Sequence, residues 1–339
     1  MGKTVLRIFL RTFAWLFVTL LVAAAGILCA VFVILKGPSV HARDLLVMSL
    51  RETSALYWVP GIYLAPELID EIVAANTVVY TEEEVDTGMI EIGEKPAPAE
   101  GEGQEAPAVP PIEVFEISGS SYVGDVLLIH DPSRVFIGNK GPYDGSAGKN
   151  VDKIAESYGA VAGINGGGFY DPNGQGNGGT PDGFVISEGK TAYAVGGTYL
   201  CIGLNTEHKL IISRTSLDGA LQMGLRDAVC VQAVYAPVLI VNGEEQAVAG
   251  YGGGLNPRTA IGQAADGTII FVTTDGRQAN SIGATFADMV RIMSEYGAVN
   301  AASLDGGSST SMYYLGEYLN TPYALSGPRI VPNAFLVRP

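Results

Sequence analysis

The chain has 339 residues, 47% hydrophobic and 16% charged, with 44 glycines and a net charge of −15. That length suits one large domain with appendages, and the acidic balance argues against a nucleic-acid partner, whose phosphates need clustered Lys and Arg. The glycines follow no collagen period and gather in loops between β-rich runs.

Lys3, Arg7 and Arg11 precede Thr12 to Leu35, a run of 24 residues without a charge. As a helix this run is about 36 Å long, enough to cross a bilayer core. It is longer than the apolar region of a cleavable signal peptide. The expectation is therefore an uncleaved signal anchor, with residues 1–11 cytoplasmic, 12–35 in the membrane and the rest outside. Lys36 and Arg43 dilute the charge asymmetry, and cleavage near Ala23 to Ala25 is the alternative. Residues 36–80 read as a juxtamembrane stalk of short helices broken at Pro60-Gly61. Residues 81–111 carry nine acidic residues, one lysine and five prolines. Such a segment is expected to be a solvated, self-repelling linker.

A globular domain is expected over 112–339, of α+β class, with a twisted mixed β-sheet core and a few flanking helices. Strands are predicted at 112–117, 121–129, 134–138 and 161–165, with a short amphipathic helix over 151–158 closed by Gly159. Further strands are predicted at 183–187, 191–195, 198–204, 208–213, 228–235 and 237–241, with a turn at 218–221. Asp266-Gly267 reads as a hairpin turn between strands at 259–262 and 269–274. Phe286, Met289, Val290 and Met293 share one face of the best helix, 285–296, with Gly297 as its C-cap. Strands at 298–304 and 329–337 close the domain. Cys201 and Cys230 are the only cysteine pair outside the apolar run; a disulfide or two buried free thiols are the readings, the second preferred. No CxxC spacing points to a metal.

The chemistry gathers in three loops: GINGGGFYDPNG at 163–174, NPRTAIG with TTDGR across 256–277, and AASLDGGSSTSMYY at 301–314. Each brings glycines and polar side chains to the end of an apolar run, an arrangement that packs nothing and suits close approach to a ligand. The three are expected to form one site. With SIGATFADMVRIMSEYGAVN before the last loop and PRIVPNAFLV after it, these motifs resemble, in order, the phosphodiester glycosidase family. That family is typified by the enzyme that removes N-acetylglucosamine from a phosphodiester to uncover mannose 6-phosphate. Its bacterial members are often labelled exopolysaccharide biosynthesis proteins. The resemblance covers 113–339. It departs from the family pattern in Asn-Gly-Gly-Gly-Phe-Tyr, where Asn-Gly-Gly-Phe-Phe is commoner, and in Pro328, where an acidic residue often precedes the arginine.

The resemblance implies hydrolysis between a sugar anomeric carbon and a phosphodiester oxygen. That reaction needs a carboxylate near the developing cation, donors for the phosphate and an oriented water. Asp275 and Asp305 are the expected catalytic acids, with either able to activate water; the bland alternative is that each stabilises its own turn. Arg258 and Arg277 are the expected phosphate clamp. Gly166, Gly167, Gly306 and Gly307 offer backbone N–H groups, with Ser308 and Ser309 as further donors and Thr259 beside Arg258. Asn165 and Asn333 are expected to read the sugar, with loop capping an even alternative for Asn165. Phe169 is expected to stack on the sugar or pack in the core. With His41, His130 and His208 outside the Gly-rich loops, a Ser-His-Asp mechanism and a zinc site are disfavoured. No cofactor is required; a calcium or magnesium ion is compatible, with DPNGQGNGG at 171–179 read first as a flexible loop. The expected protein is a membrane-anchored extracytoplasmic glycosidase acting on a sugar-1-phosphodiester, such as GlcNAc-1-phosphate, in a surface glycopolymer. The alternative is a non-catalytic carbohydrate-binding module in envelope or exopolysaccharide assembly.

Overall fold

The β-rich runs after residue 112 pair into three sheets, and every strand pairing among the described residues is antiparallel. The expected α+β class, a β-sheet core with few helices, holds; the core is divided among three sheets whose pairings are antiparallel where a mixed sheet was expected. Short turns join some neighbours, as at Asp266-Gly267, while others, such as Val123–Ile129 beside Ile269–Thr274, come from distant parts of the chain. The computed structural model describes residues 2–53, 56–79, 84–93, 111–323 and 327–339.

The largest sheet has seven strands, in the order Ile112–Ser118, Val123–Ile129, Ile269–Thr274, Arg258–Ala264, Ala298–Ser303, Val238–Val241 and Glu244–Glu245. A second sheet of five orders Glu317–Tyr318, Met312–Tyr314, Ala162–Asn165, Asn333–Val337 and Val135–Asn139. The third, also of five, orders Lys190–Ala194, Phe184–Ser187, Leu225–Val231, Tyr199–Asn205 and Leu210–Thr215. Their inner faces meet in one core, where Leu127 and Phe271, Ile164 and Phe335, and Ile202 and Val229 are all fully buried. Alternation along each strand places such residues inward. Cys201 and Cys230 stand opposite each other across two strands of the third sheet, buried and unbonded.

Among the described residues six α-helices complete the architecture: α1 (Gly2–Lys36), α2 (Val40–Arg51), α3 (Pro66–Ala75), α4 (Val151–Tyr158), α5 (Leu217–Gln222) and α6 (Phe286–Glu295). The segment expected to turn at 218–221 is α5, because the Ser216 hydroxyl caps it by accepting from Gly219 N. A capping box between Thr285 and Asp288 starts α6, whose apolar face covers the largest sheet. The face of α4 bearing Val151, Ile154 and Ala155 covers the second.

α1 is long and apolar enough to cross a membrane, and its side chains from Val5 onward are almost all exposed. Its last turn is an exception. Leu35 is buried against Val47, Met48, Leu64, Ile69 and Ile72, so α2 and α3 fold back onto the end of α1 as a collar. The collar continues onto the domain, where Val79 N donates to Ala247 O at 2.8 Å and Ala249 N to Thr77 O at 2.9 Å. Within the acidic stretch, residues 84–93 also lie against the domain rather than extending into solvent. Ile90 is 1% exposed, and Glu91 N donates to Ala265 O at 2.8 Å. One buried isoleucine and a few backbone hydrogen bonds suffice to seat a segment whose net composition is hydrophilic. Residues 81–83 and 94–110 of the expected linker lie outside the described residues.

Candidate active site

Neighbouring strands end together where Asn165, Arg258, Thr274 and Ser303 stand, so the loops that follow or precede them crowd at one edge of two sheets. Asn165 joins them. Its Nδ2 donates to the carbonyl of Asp305 at 2.6 Å, and its Oδ1 accepts from Thr259 Oγ1 at 2.8 Å and Ser311 N at 3.1 Å. Asn333 does similar work through Oδ1, which accepts from Gly167 N at 2.9 Å, while its carbonyl accepts from Gly166 N at 3.1 Å. A side chain on Gly166 would collide with Asn333 Oδ1. Thus Asn165, Gly166, Gly167, Thr259 and Asn333 assemble the loops. Their polar groups are largely engaged within the protein, and none of them lines the cavity that the loops surround. The three loops expected to share one site do meet.

That cavity has a volume of about 1230 Å³. Asp305 stands half-buried in its wall, next to Gly306, Gly307 and Ser308. Burial pushes the Asp305 carboxyl up to about 7; Ser309, donating its hydroxyl, pulls it down, the nearby Asp171 and Asp182 push it further up, and Arg329 opposes them. Arg329 is the principal cation facing this group. Its guanidinium donates to Asp171 Oδ1 at 2.6 Å and to Ser308 Oγ at 3.4 Å, and lies 5.4 Å from the Phe169 ring centre. Asp182 accepts from Gln232 Nε2 at 3.0 Å, and burial raises its carboxyl too. Arg277 completes the polar wall. It adopts a left-handed backbone (φ 60°) and is held by neutral acceptors, Asn256 Oδ1 at 2.9 Å and Thr53 Oγ1 at 3.4 Å. Gly307 (φ 61°) admits it: a β-carbon there would stand 3.3 Å from Arg277 Nη2.

Several expected residues sit elsewhere. Asp275 is buried behind the cavity, where its carboxylate accepts from Thr321 N at 2.9 Å and Asn320 Nδ2 at 3.3 Å; burial is the main cause of its raised pKa. It closes the loop at 320–321 and lies away from the cavity wall. Arg258 does border the cavity, but its guanidinium is engaged. It donates to Glu52 Oε2 at 2.6 Å, Gly254 O at 2.7 Å and Ala284 O at 3.2 Å, and stacks 3.8 Å from the Phe286 ring centre. Phe169 is 6% exposed and packs mainly in the core, whereas its neighbour Tyr170 is exposed at the rim. Asp171, Asp182 and Arg329 were missed as site residues. Arg329 lay in the PRIVPNAFLV motif, and Asp182 in the Gly-rich GGTPDGF. Both signals were present, but neither stands at the end of an apolar run. The Asp171 carboxylate is occupied by Arg329 and by Gly176 N at 2.6 Å. Among the described residues, no three metal-ligating side chains converge.

Over 65 residues the chain is 45% identical to the SPbeta prophage-derived uncharacterized protein YomE of Bacillus subtilis (strain 168), which covers 19% of this chain and 10% of that relative. The chain therefore matches only about a tenth of the length of this curated relative. The fold is similar to the catalytic domain of zebrafish N-acetylglucosamine-1-phosphodiester alpha-N-acetylglucosaminidase, solved auto-inhibited by its pro-peptide. The TM-score is 0.55 at 21% identity, covering 69% of this chain and 85% of that one. A hypothetical protein from Synechocystis aligns at TM-score 0.46 and 19% identity, over 68% of this chain and 64% of that one. The phosphodiester glycosidase family model matches residues 158–338, a span holding all three site loops with Arg258, Arg277 and Arg329, and on that match the chain belongs to the phosphodiester glycosidase family.

Proposed function

We propose that this protein is a glycosidase that hydrolyses a sugar-1-phosphodiester, anchored in a membrane by α1 with its catalytic domain outside. The observation that carries the reading is Asp305, a carboxyl of raised pKa facing Arg329 in a cavity of about 1230 Å³. In this reading Arg329 and Arg277 hold the phosphate oxygens, and the sugar's anomeric carbon lies toward Asp305. The bond between that carbon and the phosphate oxygen breaks, and its electron pair leaves on the phosphate. Water adds to the same carbon as Asp305 accepts its proton. A carboxylate that titrates at about 7 is a competent base near neutral pH. Phosphate is a good leaving group, so a strong general acid is unnecessary. Asp182 supplies a second negative charge for the oxocarbenium-like state. The fold of the zebrafish phosphodiester glucosaminidase and the family match support the bond type, and GlcNAc is the natural first sugar to test.

The test is incubation of the full chain, in detergent micelles, with a synthetic methyl α-GlcNAc-1-phosphodiester while free sugar is measured. Release that disappears in Asp305→Asn and persists in Lys190→Ala, a change on an exposed strand, supports the enzyme. Binding of the ester without release would instead make the domain a carbohydrate-binding module.

A further inference from the structure

The cavity exceeds what a sugar phosphate needs, since ligand pockets for small molecules usually run to about 300–1,000 Å³. The domain loops bring Asp305, Arg329 and Arg277 to its wall, beside Asp171 and Asp182. The collar lines the same cavity with Leu45, Leu46 and Leu50 of α2, with Leu56 beyond it and Ile34 from the last turn of α1; of its polar lining, Glu52 is taken up by Arg258 and Thr53 by Arg277. One continuous space therefore connects a carboxylate and two arginines to the end of the helix that is long and apolar enough to span a bilayer.

The collar also packs beside the last turns of α1. Tyr63 Oη donates to Leu28 O at 3.3 Å and its ring stands 6.0 Å from that of Phe32. Leu28 precedes Lys36 by about 12 Å of helix. Around Tyr63, the large side chains Leu56, Tyr57, Trp58 and Ile62 are between 44% and 55% exposed. A cluster of that kind, rich in aromatic rings and level with the last turns of an apolar helix, is the composition of a membrane–water interface.

We propose that the phosphodiester cleaved here is lipid-linked: a sugar 1-phosphate esterified to a long-chain alcohol that lies in the same bilayer as α1. The proposal rests on the glycosidase reading above and narrows its substrate class. The phosphate sits between Arg329 and Arg277, and the alkyl chain runs past Leu50 and Leu46 toward Ile34. Hydrolysis releases the reducing sugar to the aqueous side and leaves the lipid phosphate monoester in the membrane. The collar thus serves as the wall that a water-soluble substrate would not need.

The test compares full-length protein in micelles on α-GlcNAc-1-phosphate esters of methyl and farnesyl alcohol. The expected kcat/KM is at least about thirtyfold higher for the farnesyl ester, and Leu46→Asn and Leu50→Asn are each expected to cut the farnesyl-to-methyl ratio about tenfold. The ratio is taken within one variant, so a partly unfolded sample does not disturb it. Equal values for the two esters overturn the proposal and leave the glycosidase reading standing; if light scattering then shows a dimer, the groove belongs to a second copy of the chain. A preference that survives both leucine substitutions reflects partition into micelles and also overturns it. If neither ester is hydrolysed, the glycosidase reading falls. Dissociation constants then decide by calorimetry: farnesyl binding at least about tenfold tighter and lost in the leucine variants supports the lipid groove, and equal binding overturns it.

Discussion

Two loops of this molecule are written almost alike and used differently. Thr-Thr-Asp-Gly ends the strand Ile269–Thr274, and Ser-Leu-Asp-Gly follows the strand Ala298–Ser303. In the first, Asp275 turns inward and holds the backbone of Thr321 at 2.9 Å. In the second, Asp305 faces a cavity with Arg329 nearby. The arginines divide the same way. Arg258 is closed off by Glu52, which also accepts from Asn256 Nδ2 at 2.9 Å and Gly254 N at 2.8 Å, whereas Arg329, though it donates to Asp171 at 2.6 Å and Gly176 O at 3.2 Å, does so on the cavity wall beside Ser308 and Asp305. A carboxylate or guanidinium enclosed by its own protein's partners stabilises the fold; one on a cavity wall is within reach of a ligand.

The contrast is broken most sharply by removing each aspartate in turn. Asp305→Asn is expected to lower kcat/KM on a GlcNAc-1-phosphodiester by about a thousandfold with the melting temperature held or raised. Asp275→Ala is expected to keep activity per folded molecule within about tenfold while costing about 2 kcal/mol of stability, because Thr321 N and Asn320 lose a buried charged partner. Denaturant melts beside initial rates would separate the two, and an inactive but fully stable Asp275→Ala would return that residue to the catalytic machinery.

The arginine pair gives the next largest difference. Arg329→Ala should reduce kcat/KM by about a hundredfold through loss of a charge-assisted phosphate contact. Arg258→Ala should act on the fold, at about 3 kcal/mol, since it leaves Glu52 partly buried without its cation. Limited proteolysis is the readout: cleavage between the collar and the domain should accelerate in Arg258→Ala and in Glu52→Gln, and stay slow in Arg329→Ala.

Titration provides the finest test. If Asp305 is the base, activity rises as pH passes through about 7, because the group must lose its proton first. Asp171→Asn removes a neighbouring negative charge and should move that midpoint down. Arg329→Ala removes a cation and should move it up. Stability runs the other way. The folded carboxyl holds its proton above the ordinary carboxylate range, so the native state binds more protons than the unfolded chain between that range and about 7. Asp305 therefore favours the fold least at higher pH, and the melting temperature should fall across that window. Asp305→Asn should flatten the decline, and an unchanged slope would remove Asp305 as its source.

Much of this protein was legible in its residues alone. The uncharged run from Thr12 to Leu35 reads as a helix able to lie in a bilayer over most of its length, since nothing charged interrupts it. Alternating apolar strands, the Asp266-Gly267 turn and the periodic face of α6 determined the elements and their class, because local geometry makes side-chain direction a function of spacing. The loop motifs marked the region of the site for a similar reason: glycine beside a strand end is costly to a core and useful near a ligand. What sequence did not decide was where each polar side chain would find its partner. Asn165 reads equally as a ligand contact or a brace until Thr259 and Asp305 are seen to complete its hydrogen bonds. Arg258 reads as a phosphate clamp until Glu52, more than two hundred residues earlier, closes over it. Asp182 and Arg329 join Asp305 only across sheets, by contacts that no local pattern encodes. Propensity and periodicity act between neighbours in the chain, whereas the pairing of charges is settled by whichever groups the packed sheets bring within a few ångströms.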